Sequence, residues 1–392
     1  MRIASTTNQF VVITAWMLAS AYAAVMPRVA WQNAVYAAVS LAALLLLRFS
    51  VNPRRIKESL VIVAWYAVFT GAPLVMAIAR GEFSTFYFWM LGINSILASI
   101  AIRELPVCKS LSAARILLVA ATSFAIYIAT EDRAAYDSGE IIGGSSNLLT
   151  AMLIGVVCWH SYSAVLAGRR APIAAPVALL SVSVVFGGRS GILVAAMLLS
   201  LNIGLRVLSS RGFALAATAA AIAVIVVVPI EIFTDVVAST RLIHGFTDDI
   251  RSQMFSEYVG TLDALNFFIG APYNPSGVIA SYGDNPHNSV IRAHHLFGLP
   301  ALLVLAGIYL AALARVIAKP ATGSIYAFVL GNLVLLRSLY DSVYLWFEMD
   351  FILLSLFLSP AVHRSASGEF FVPISGVPPQ GSNKQDMPLA TR

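Results

Sequence analysis

The chain has 392 residues, of which 59% are hydrophobic and 11% charged, with a formal net charge of +6 and a mean hydropathy of +0.82. A soluble domain carries about 25% charge and roughly 45–50% apolar residues, so the composition excludes a soluble fold and describes an integral membrane protein. The basic surplus bears on loop orientation, and no basic stripe with interleaved aromatics supports a nucleic-acid partner.

A bilayer crossing takes about 17–25 apolar residues. Twelve runs qualify, at roughly 10–26, 29–49, 59–79, 84–102, 112–130, 146–168, 171–187, 189–206, 212–232, 288–314, 322–340 and 343–362. The expected fold is an all-α polytopic membrane protein of about twelve spans. The first run ends in a cleavage-like Ala21-Tyr22-Ala23, but Arg2 is its only basic residue and eleven runs follow. It reads as a retained helix. No internal repeat is visible. Cys108 and Cys158 are too few and too far apart for a disulfide framework or a metal cluster.

With the N-terminus in the cytoplasm, 17 of the 25 basic residues fall inside and 8 outside. The loop 131–145 then faces outward with Glu131, Asp132, Asp137 and Glu140 against one arginine. This satisfies the positive-inside rule and puts both termini in the cytoplasm. The segment 233–286, between spans nine and ten, becomes one large outward-facing loop. Within it Ile250, Met254, Tyr258, Leu262, Leu265 and Ile269 recur at helical spacing, which predicts an amphipathic helix resting on the outer membrane boundary. The tail 365–392 is rich in Pro, Gly and Ser and is expected to be disordered and cytoplasmic. Residues 1–364 thus form one membrane domain.

Charged groups at membrane depth are rare and line cavities or meet partners. Arg189 opens span eight from the outer side, and Arg292 and His294 lie about one turn into span ten. Arg337 is near the outer end of span eleven; Glu348 and Asp350 are one to two turns into span twelve. At 1.5 Å per residue all lie within about 5–10 Å of one boundary. Arg241, Arg251 and His287 in the loop can join them. Each also has a plainer reading. Arg189 can snorkel, Arg337 can neutralise Glu348 or Asp350, and the loop arginines can be solvated. His244, His294 and His295 fit polar packing. His287, in Asp284-Asn285-Pro286-His287-Asn288, fits a helix entry capped by Asn285 or Asp284. No His, Cys and carboxylate set has metal-ligand spacing.

Guanidinium groups match phosphate geometry and stay charged at any working pH. A polyprenyl-diphosphate donor would place its phosphates at this depth. A neutral imidazole at the loop–helix junction could take a proton from an attacking hydroxyl, with arginines stabilising the departing diphosphate. Asp284 and Asn288 flank that imidazole and could orient it. An anion transporter would also call for outward-facing arginines.

Three stretches resemble the O-antigen ligase and polymerase superfamily of bacterial surface-polysaccharide assembly (the Wzy/WaaL type). Gly188-Arg189-Ser190-Gly191-Ile192-Leu193 is similar to its Arg-Ser-Gly stretch. Arg241 and Arg251 precede Phe268-Ile269-Gly270, similar to its loop arginines and glycine turn. His287-Asn288, followed after nine residues by Gly298, is similar to its histidine motif. The resemblance covers residues 1–364.

It implies transfer of an oligosaccharide from undecaprenyl diphosphate to a glycan acceptor hydroxyl, without metal or other cofactor, at the periplasmic face of the bacterial inner membrane. It implies His287 as catalytic base, with Arg189, Arg241, Arg251, Arg292 and Arg337 at the diphosphate and Asp284, Asn288, Glu348 and Asp350 in support. Chain-length regulator and flippase proteins are the implied partners beside the bilayer. The modest loop favours a polymerase of exopolysaccharide or O-antigen over a ligase acting on lipid A-core. A lipid-oligosaccharide flippase is the alternative of another class; it predicts repeats and charges along a whole central path.

Overall fold

The structure, a computed structural model, describes residues 6–25, 30–51, 53–131, 146–186, 189–207, 249–282, 284–318, 320–339, 344–345, 347–358, 363–364 and 370–371. Most of these residues are helical, with short turns and loops between the helices and a two-residue antiparallel pairing of His363–Arg364 with Phe370–Phe371. The helices are α1 (Thr6–Val25), α2 (Ala30–Val51), α3 (Pro53–Ala79), α4 (Ser84–Glu104), α5 (Val107–Glu131), α6 (Ser146–Leu166), α7 (Ala174–Val185) and α8 (Arg189–Val207). After a gap in the described residues come α9 (Asp249–Gly260), α10 (Ala264–Ile269), α11 (Val278–Ser281), α12 (Ser289–Ala318), α13 (Thr322–Ser338) and α14 (Asp350–Phe357).

Aliphatic runs make these helices, and Gly and Pro end them. Leu105 is extended ahead of Pro106, which stops α4, as the residue before a proline must be. Gly168 closes α6 at φ +70°, with its N–H on Val165 O and that of Arg169 on Ala164 O. Four described helices are long and apolar enough to cross a membrane: Ser84–Glu104, Val107–Glu131, Asn147–Leu166 and Ser289–Ala318. Shorter apolar helices are Val35–Leu45, Val63–Ala79, Ala174–Val185, Ser190–Arg206 and Gly323–Ser338. Span nine, the loop 131–145 beyond Glu131, residues 233–248 and almost all of the expected disordered tail lie outside the described residues.

The central helix is α6. It packs on α1, α5, α7, α8, α13 and α14 and is buried along nearly its whole length. Trp159, Tyr326, Phe351 and Phe297 fill the core around it. Polar ties cross the same interior. Asn202 of α8 donates to Ser161 Oγ (3.3 Å) and Pro172 O (2.6 Å) and accepts from the Tyr326 hydroxyl of α13. In an apolar bundle such interhelical bonds fix which helix faces meet.

Three expectations are corrected. The amphipathic helix over 250–269 is two helices, because Thr261-Leu262-Asp263 interrupts it and the Asp263 carboxylate caps α10 by accepting Asn266 N–H at 2.7 Å. Span twelve is not one helix over 343–362. Its described helix is the eight residues Asp350–Phe357, since Asp350 turns back to accept N–H bonds from Leu345 (2.8 Å) and Phe347 (2.9 Å). Leu345 sits at φ +66° in that loop. Span ten, α12, is broken at Gly298, whose φ of 60° and ψ of −157° no helix contains, with Pro300 two residues on.

Candidate active site at one end of the bundle

The starts of α4, α6, α8, α12 and α14 and the end of α13 contribute to one end of the bundle. Gly191, in the first turn of α8, lets that helix close in: a Cβ there would lie 2.8 Å from Ser183 Oγ of α7. Arg189 opens α8 at this end, and its side chain lies outside the described residues.

His287 stands two residues before α12 at φ +48°. The turn that holds it there is made by Asn285, whose Oδ1 accepts His287 N–H at 3.0 Å. The helix cap is Asn288, not Asn285 or Asp284. Its Oδ1 accepts the N–H groups of Val290 (2.8 Å) and Ile291 (3.1 Å). That side-chain oxygen therefore serves the helix rather than the imidazole. Asp284 is exposed at φ +57°, and the His287 ring meets Tyr282 edge-on at 5.8 Å.

Beyond the cap, α12 presents Arg292, His294 and His295 in succession. Arg292 is buried, its guanidinium between the rings of Phe88 in α4 (4.4 Å) and Phe347 (4.9 Å). His294 Nε2 bonds Phe267 O at 2.9 Å while Nδ1 meets the Tyr258 hydroxyl at 2.8 Å. Because a carbonyl only accepts, Nε2 carries the proton and Tyr258 donates to Nδ1. His295 likewise donates from Nδ1 to Ala271 O at 2.7 Å and stacks on Tyr273 at 3.8 Å. Both histidines are thus packing residues that hold the α10 segment. Tyr258 and Tyr273, with Met254, Ile279 and Ile291, form a small core of their own. Burial pushes both hydroxyls well above the ordinary tyrosine range, so both stay protonated.

The remaining expected residues divide. Glu348 is buried and accepts a hydrogen bond from Tyr87 of α4, next to Phe88. Asp350 spends both oxygens on the Leu345 and Phe347 amides. Arg337 is fully buried and donates from Nη2 to Asn147 O at the start of α6 (2.9 Å). Tyr344 lies between them, with its hydroxyl on Ala151 O (3.0 Å) and its N–H on Ser289 Oγ (3.3 Å). Arg292, Glu348 and Asp350 are therefore joined through Tyr87, Phe88 and the 344–350 loop, which also touches the start of α12. Arg251 sits half-buried on α9, and Arg241 lies outside the described residues.

Sequence reasoning missed Tyr87, Tyr344 and Arg80. Arg80, just past α3, donates from Nη1 to Gly270 O at 2.8 Å and pairs with Glu82. Its signal was the Gly81 beside it, a helix-ending glycine that fixes where the next side chains point. Among the described residues, no three His, Cys, Asp or Glu side chains gather as a metal-ligand set. Compared with known protein families, characterised proteins and solved structures, the chain matches none.

Proposed function

We propose that this chain polymerises undecaprenyl-diphosphate-linked oligosaccharide repeat units into exopolysaccharide or O-antigen, as a metal-independent membrane glycosyltransferase. The observation that carries the reading is a histidine on a pinned turn at a helix mouth, followed within two turns by a buried, ring-sandwiched arginine. The resemblance of the Arg-Ser-Gly, glycine-turn and histidine stretches supports it.

In this mechanism His287 accepts the proton of the acceptor hydroxyl as that oxygen attacks the anomeric carbon of the donor sugar. The bond from that carbon to the diphosphate oxygen breaks, and undecaprenyl diphosphate leaves with the electron pair. Arginine guanidinium groups, Arg292 and Arg337 among them, stabilise the charge that builds on it. Arg189 and the loop arginines complete the set. The site faces the periplasm in the inner membrane of a bacterium, with about twelve spans, cytoplasmic termini and 233–286 outside. The exposed Ser276 reports on this topology: as Ser276→Cys it should react with impermeant thiol reagents in cells with a permeable outer membrane.

Deletion of the gene followed by electrophoresis of surface polysaccharide tests the function. Loss of long chains with single repeat units retained is the expected result. Accumulated long lipid-linked chains would instead make the protein a ligase, and repeat units trapped on the cytoplasmic face a flippase.

A further inference from the structure

We propose that Arg80 is a positioning residue for His287: it ties the broken helix that carries the histidine to the end of α3. The link to His287 rests on the glycosyltransferase reading; the tie itself does not.

The tie begins in how α3 ends. Gly81 N–H bonds Ile78 O (2.9 Å) and Glu82 N–H bonds Ala77 O (2.9 Å), with Gly81 at φ +85°. These two bonds and a left-handed glycine are the Schellman closure of a helix. They fix the backbone of Arg80 and Glu82 on either side of the glycine. Glu82 then takes Arg80 at two points, Oε1 3.2 Å from Nε and Oε2 3.5 Å from Nη2. This ion pair, with one hydrogen bond from Nη2, restricts how the planar guanidinium can turn. Its remaining nitrogen, Nη1, is thereby aimed at Gly270 O (2.8 Å).

Gly270 is where the tie meets α12. The segment Phe267–Ala271 offers three carbonyls to side chains: Phe267 O to His294, Ala271 O to His295 and Gly270 O to Arg80. The two histidines belong to α12, so their bonds hold the segment to that helix. Arg80 comes from the other side, 190 residues away in sequence. Among the described residues it is a side-chain hydrogen bond between this unit and the end of α3, which also packs on α12 and α10 directly. From the break at Gly298, nine residues of helix lead back to Ser289, the Asn288 cap and the His287 turn. Freed at Gly270, that short lever would move the imidazole, and a displacement of about 1 Å costs on the order of 10²-fold in rate.

The test compares purified wild-type protein, Arg80→Ala and Glu82→Gln. It measures transfer from a lipid-linked repeat unit and hydrogen–deuterium exchange over 264–271 and 289–299. Arg80→Ala should lower kcat by on the order of 10–10²-fold, leave KM for the donor unchanged and speed exchange in both segments. Glu82→Gln keeps the arginine but releases its edge, and should do the same to a smaller degree. Exchange unchanged in both variants overturns the tie. A raised KM with unchanged kcat overturns the positioning role and makes Arg80 a substrate ligand. Should Arg80→Ala fail to accumulate, Glu82→Gln decides alone, and unchanged kcat or exchange there overturns the proposal. If the wild type transfers nothing, the glycosyltransferase reading falls, and with it the role toward His287, while exchange still decides the tie.

Discussion

Gly270 and Gly298, 28 residues apart in sequence, face each other across the α10–α12 junction. A Cβ on Gly298 would lie 2.6 Å from Gly270 N, and one on Gly270 would lie 2.7 Å from His294 O. Both have positive φ, 88° and 60°. Each is thus required twice, for its backbone conformation and for the closeness of approach. Gly298→Ala and Gly270→Ala should each destabilise the protein by about 1–3 kcal/mol or more. Gly307, with open space around it in the helical part of α12, is the contrast. Gly307→Ala should be neutral or stabilise by up to about 1 kcal/mol. Thermal unfolding in detergent measures all three, and equal behaviour would dismiss the junction as a constraint.

The turn that His287 holds can be separated from the general-base role proposed for it. Its left-handed backbone suits asparagine well, so His287→Asn should keep the turn and the melting temperature. General-base assistance is worth about 10²–10⁴-fold, and transfer should fall by that much in the same variant. Near-normal turnover at equal stability would leave His287 a turn residue only.

Asp350 should behave as a structural residue. Its two oxygens hold the 344–350 loop through the Leu345 and Phe347 amides. Asparagine retains one acceptor and turns a donor toward the other N–H. The expected effect of Asp350→Asn is a loss of about 1–3 kcal/mol in stability, with transfer per folded molecule little changed. A rate defect without a stability defect would return Asp350 to the chemistry.

Tyr258 and Tyr273 look alike in sequence and should respond oppositely to loss of the hydroxyl. Tyr258 donates to His294 Nδ1, so Tyr258→Phe leaves a buried acceptor unpaired and should destabilise by about 1–3 kcal/mol. The Tyr273 hydroxyl is buried with no hydrogen-bond partner among the described residues. Tyr273→Phe should therefore be neutral or stabilising. Melting temperatures of the two variants against wild type decide it.

The same tyrosines set an alkaline limit. Burial raises both above the ordinary value near 10, so the folded state binds protons that the unfolded state releases. Their contribution is complete below about pH 10 and is lost as pH rises through the higher folded-state values. The Tyr258→Phe, Tyr273→Phe double variant should lose stability less steeply than wild type above about pH 10 in a pH series of unfolding curves. Parallel curves would show that neither group titrates on unfolding.

Apolar run length located α1 to α8, α12 and α13 to within a few residues, since burying aliphatic side chains and satisfying backbone bonds leave a helix as the only outcome. What run length conceals is a break. The apolar spacing passes unbroken through Thr261–Asp263, yet Asp263 is a capping residue that starts a new helix. The 343–362 run gives no sign that Asp350 will reach back to Leu345 and Phe347, because that bond depends on a loop conformation and not on period. Gly270 and Gly298 were visible as motif glycines, while their contact, like that of Arg80 with Gly270, joins residues that only the packed chain brings together. The place of His287 at the entry of α12 was legible for the opposite reason: the residues that make its turn are its neighbours in sequence.

The break at Gly298 also changes what α12 asks of the bilayer. The stretch after it, up to Ala318, is about 20 residues and hence about 30 Å of helix, which equals the thickness of a hydrocarbon core. By length and composition that stretch can cross a bilayer without hydrophobic mismatch and without the first nine residues of the helix. A guanidinium at mid-membrane in a helix carries an insertion penalty of about 2.5–3.5 kcal/mol. A crossing that begins at the break would leave Arg292, His294 and His295 outside that penalty, so that a charged half-helix could precede an ordinary apolar segment in one helix.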